Sequence, residues 1–93
     1  MRADRYYILA FDSTHAALSA QRRLQGRVAA SVMPTLRAIQ AGCGISLRVE
    51  EADLEALKSL LPELGRGGWR LYFAEGDGSP VVTAVDLPDV TAL

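Results

Sequence analysis

The 93-residue chain holds one cysteine, Cys43, set between glycines in Ala41-Gly42-Cys43-Gly44, and one histidine, His15. A cysteine kept for packing usually sits in an apolar run, where it behaves as a small hydrophobe. Gly42 and Gly44 carry no side chains, so the backbone can turn sharply and the thiol can be approached closely. A lone thiol has no partner for an internal disulfide and forms no CxxC pair for metal or redox work. If it is used, this sulfur works singly, as a nucleophile or as the carrier of a group. Its reactivity would follow its thiolate fraction, which a helix N-terminus or a nearby cation raises. His15, as thiolate partner or base, and Arg37, as the pKa-lowering cation, are the candidates for that help.

Plainer readings stand beside these. Cys43 could be tucked into a tight turn, and His15 could be an exposed residue near the start of a helix. Ser13 and Thr14 read more simply as helix caps than as reacting groups. Met33 with Cys43 and His15 makes a thin soft-metal set, so no metal or cofactor is expected. The chain shows no phosphate loop, no paired catalytic carboxylates and no Ser/His/Asp spacing. One thiol and one imidazole without an orienting group favour a carrier or binding protein over a stand-alone enzyme.

The elements that must position these residues follow from pattern. Tyr6 to Phe11 is a continuous aromatic and aliphatic run, predicted as a central strand buried on both faces. Asp12-Ser13-Thr14 offers caps for a helix over Ala16 to Gln25, which Gly26 stops. Val28 to Met33 reads as a second strand ended by Pro34. Thr35 to Gly42 reads as irregular or a single helical turn, with Leu36 and Ile39 as anchors. In Ile45 to Glu50, apolar Ile45, Leu47 and Val49 alternate with Ser46, Arg48 and Glu50, predicting a strand with one buried and one polar face. Glu51 to Leu61 has Leu54, Leu57 and Leu61 at helical spacing, and Pro62 should end or kink that helix. Trp69 to Ala74 is a fourth strand. Gly76 to Pro80 is a turn, and Val81 to Val85 could return as an extra edge strand. The residues after it, with Pro88, read as a tail.

Strand, helix, strand, strand, helix, strand is the α+β, ferredoxin-like split βαβ order (βαββαβ): one antiparallel sheet with both helices on one face. A single domain is expected over residues 1–93, with its core at about 5–75 and a turn, edge strand and tail over 76–93. In that topology Asp12 to His15, Pro34 to Gly44 and Gly65 to Gly68 share one pole, which brings His15 and Cys43 to the same end, within about 10 Å for coupling through a water or a small loop shift. Ser46, Arg48, Arg70 and Tyr72 should line the open sheet face, a composition suited to protein contact or to a homodimer.

Composition bounds the partners. The apolar fraction of 49% is ample for a small core, and 23% charged residues suit a soluble surface. Ten basic against eleven acidic residues, with no basic block, argue against nucleic acid. No apolar stretch approaches the ~20 residues of a membrane span, and the polar N-terminus does not read as an export signal. A single unpaired cysteine then points to the reducing cytoplasm.

Phe11-Asp12-Ser13-Thr14-His15-Ala16-Ala17-Leu18, Met33-Pro34-Thr35-Leu36-Arg37 and Ala41-Gly42-Cys43-Gly44-Ile45-Ser46-Leu47-Arg48 together resemble the selenium/sulfur carrier-like family of small bacterial domains. Members of that family commonly read F-x-S-T-H-x-A-L, then P-T-P-R, then C-G-[IL]-[AS]-L-R. The resemblance covers about residues 5–75 in order and spacing. Leu36 stands where the family usually has proline, which should loosen the loop. The resemblance implies a cysteine that carries sulfur or selenium, at the position of Cys43, as a persulfide or selenosulfide. The partners it implies are a protein donor and a protein acceptor. The alternative reading is a non-catalytic interaction or regulatory module in which Cys43 is incidental.

Overall fold

A computed structural model of the chain describes residues 5–39, 44–64, 68–76 and 80–85. Its elements run β1 (Arg5–Phe11), α1 (Thr14–Leu24), β2 (Ala30–Pro34), β3 (Ile45–Glu50), α2 (Leu54–Leu60), β4 (Trp69–Glu75) and β5 (Val81–Ala84), with short 3-10 turns at Glu51–Asp53 and Leu61–Leu64 flanking α2. The five strands form one sheet in the order β2-β3-β1-β4-β5, with every neighbouring pair antiparallel. This is the expected ferredoxin-like arrangement, and β5 adds the outer strand beside β4.

Period-two alternation along β1 explains why it takes the centre. Leu9 and Phe11 point to the helices, where Ala17, Ala20 and Leu24 of α1, Leu57 of α2 and Leu61 close over them. Tyr6, Ile8 and Ala10 point the other way into a second apolar cluster with Ile39 and Ala74. A strand sealed on both sides must be apolar at successive positions, as this one is. Both helices therefore lie on one face, and each fully buried leucine there contributes about 1.5–3 kcal/mol over its exposed state.

The structure departs from the sequence pattern most in β2 and in the second helix. The Val28 N–H bonds the Leu24 carbonyl at 2.9 Å, so Val28 belongs to the turn that ends α1, and β2 begins at Ala30 instead of Val28. Gly26 in that turn takes φ +83°, a left-handed conformation that suits a residue without Cβ. The single helix expected over Glu51 to Leu61 is a 3-10 turn, a short α-helix and a second 3-10 turn carrying Pro62. Proline has no N–H to continue the α ladder, and the tighter turn takes over there.

Candidate functional site

The registers bring the last residue of β1 opposite the first of β4 (Phe11 with Trp69), and the last of β2 opposite the first of β3 (Pro34 with Ile45). The motif-bearing segments thus meet at one pole. Asp12 N–H donates to the Gly68 carbonyl at 3.0 Å, and Thr35 N–H donates to the Gly44 carbonyl at 3.0 Å. The second bond joins the two ends of the link that carries the cysteine. Cys43 and Gly42 lie outside the described residues, and so does the expected approach of His15 to Cys43.

The first motif is built around a cap. Ser13 is extended (φ −148°, ψ 156°), and its Oγ accepts the Ala16 N–H at 3.1 Å. Ser13 alone is therefore the N-cap; Thr14, expected to share that role, is the first residue of α1. His15 follows on the first turn, exposed, and faces a cleft on the helix side of the sheet. Arg37 is exposed in the turn between β2 and β3.

That turn is more firmly held than its irregular sequence suggests. Ile39 N–H donates to the Leu36 carbonyl at 2.9 Å, closing one turn. Ile39 is buried against Tyr6, Ile8 and Ala10, and Leu36 packs on the same cluster. Leu36, expected to loosen the link by replacing a proline, instead supplies an apolar anchor. Beneath it the Thr35 and Ser46 hydroxyls are hydrogen-bonded at 2.7 Å, with Ser46 fully buried.

The second sheet face is accordingly not the open face that alternation predicts, because residues 36–39 cover its polar end. Ser46 is under the link. Arg48 is not a solvated face residue either: its side chain is only 11% exposed. Its guanidinium lies 3.8 Å from the Tyr6 ring centre and its Nε donates to Glu50 Oε2 at 2.6 Å. Stacking and pairing satisfy a charge that burial would otherwise penalise. Arg70 remains exposed, and Tyr72 is half-buried beside the same cluster.

Sequence reasoning missed the cleft beside His15. Its lining includes Ser19 and Arg23, which follow His15 at successive four-residue steps along α1, together with Trp69. That spacing marks one helix face and was the available signal. Among the described residues there is no group of three or more His, Cys, Asp or Glu side chains placed to hold a metal ion. Nor is any helix there long and apolar enough to cross a membrane.

Searches of curated proteins and of solved structures each returned no match for this chain. A family match does cover residues 6–67, which takes in all three motifs from Phe11 to Arg48. The chain therefore belongs to the family described as "Putative Se/S carrier protein-like".

Proposed function

We propose that the protein carries a sulfane sulfur or a selenium atom on Cys43 and hands it from a donor protein to an acceptor protein. The observation that carries this reading is the family match over residues 6–67, within which Cys43 is the chain's one thiol. The fold supports it in one further respect: the link that contains Cys43 is tied at both ends by the Thr35–Gly44 bond and anchored through Leu36 and Ile39. A carrier needs a presented thiol and a docking surface, without a full catalytic apparatus.

In the loading step the Cys43 thiolate attacks the terminal sulfur of a donor persulfide. A new S–S bond forms on Cys43, the donor's S–S bond breaks, and the donor leaves as a thiolate. Delivery is the same exchange in reverse, with an acceptor nucleophile taking the terminal atom and Cys43 leaving. Neither step needs an external oxidant. His15 and Arg37 would favour the attacking thiolate by hydrogen bonding and charge. The reducing cytoplasm, where an unpaired thiol stays free, is the setting this chemistry requires. Exposed Arg70 and half-buried Tyr72 offer contact surface to the donor or acceptor.

Intact-mass analysis after exposure to a persulfide donor tests the reading. The wild type should gain the mass of one sulfur, reversibly by a reducing thiol, and Cys43→Ser should gain none while keeping its circular dichroism spectrum. A hydroxyl matches the thiol in size but forms no stable sulfane adduct at neutral pH. A wild-type chain that stays unloaded while its Cys43 is alkylated readily would favour the interaction-module reading.

A further inference from the structure

His15 borders a cleft of about 310 Å³ whose lining comes from α1, from Glu63 and Leu64, and from Phe11, Gly68 and Trp69 at the ends of β1 and β4. His15, Ser19 and Arg23 form one wall at four-residue spacing, which spans about 12 Å at 1.5 Å rise per residue. Across from them lie the apolar surfaces of Leu64, Phe11 and Trp69. Glu63 also reaches the cleft, but both of its carboxylate oxygens accept from Arg27 Nη1, at 3.1 and 3.0 Å. Arg23 has no such partner among the described residues. The uncompensated charge on the described lining is therefore the Arg23 guanidinium.

We propose that this cleft binds a small apolar carboxylate, with its flat or aliphatic body against Trp69 and Leu64 and its carboxylate on Arg23. The volume sits at the lower limit of small-molecule sites, roughly 300 to 1,000 Å³, which excludes a dinucleotide or a folded peptide. A single guanidinium fork matches a single carboxylate, whereas a phosphate dianion would leave charge unmatched. His15 and Ser19 add hydrogen-bonding groups along the same wall. The cleft is on the helix face of the sheet while residues 36–39 pack on the other face, and His15 is the one residue that this inference shares with the carrier reading.

Trp69 is the chain's only tryptophan, and its fluorescence reports directly on the cleft. Titration with hydrocinnamate should change that fluorescence saturably, and the neutral amide of the same acid should bind about tenfold more weakly. Arg23→Gln should remove the preference for acid over amide. Arg22→Gln, at an exposed position off the lining, should leave it unchanged, as should Cys43→Ser. Absence of a saturable change, equal binding of acid and amide, or a preference that survives Arg23→Gln would each overturn the proposal. Because Cys43→Ser is inert here and decisive for sulfur loading, the two readings fail separately.

Discussion

The hydroxyls of Thr35 and Ser46, 2.7 Å apart with Ser46 fully buried, pin the cysteine-bearing link to the sheet. Ser46→Ala or Thr35→Val should each lower stability by about 1 kcal/mol, the net worth of a typical side-chain hydrogen bond. The double variant should cost little more than either single one, since both lose the same bond. Urea midpoints of the four proteins measure this, and fully additive costs would show that the two hydroxyls act independently. The sequence placed Ser46 on the polar side of β3 correctly, yet it read that side as open. Alternation reveals which residues share a face; it does not reveal what covers the face. What covers Ser46 comes from Leu36 and Ile39, two apolar residues in an otherwise irregular stretch, whose direction depends on the turn at Arg37. Arg48 was misread for the same reason, since its ring partner Tyr6 lies on the neighbouring strand.

Among the elements, α1 has the clearest local code. Its cap Ser13 holds the Ala16 N–H, so Ser13→Ala should cost about 1 kcal/mol. The equivalent change at Thr14, inside the first turn, should cost less. A thermal or denaturant melt that ranks the two in the opposite order would contradict the cap assignment. Strand β3 was legible to the residue because strict alternation over Ile45 to Glu50 has clear ends at Gly44 and at the helix-forming run. The end of α1 was less legible. Val28 is as apolar as a strand residue, but its N–H is already committed to Leu24. Apolar content marks burial, and the hydrogen-bond partner decides the element. The His15–Ser19–Arg23 wall was hidden for a further reason: its other half comes from residues some forty to fifty positions away in sequence, around Leu64 and Trp69.

For the molecule as a whole, the two sides of one sheet are occupied by different means. Helices seal one side, and the short β2–β3 link seals much of the other. A homodimer through the second face was expected from its predicted arginine and tyrosine composition. Ile8, Ala10, Ser46 and Ala74 at its centre are already buried within one chain. A homodimer through this face would therefore rest on Arg70, Tyr72 and the strand edges around that buried centre. Sedimentation at micromolar concentration tests this: a mass of two chains that Arg70→Glu returns to one would support the dimer, and a mass of one chain for the wild type would rule it out. The strand order itself was readable because right-handed crossovers leave few ways to lay out this string of elements.

The Thr35–Gly44 bond has a consequence for how such a chain can diversify or be re-engineered. Because the fold fixes both feet of the link, its interior, apart from the anchors Leu36 and Ile39, can change length or composition without altering strand register. The entropic cost of lengthening a closed loop rises only by about 0.6 kcal/mol per doubling. The segment between the feet is in effect an interchangeable cartridge. Grafted between two adjacent antiparallel strands of another sheet, with an apolar patch supplied for Leu36 and Ile39, it should bring its cysteine along as a self-contained part.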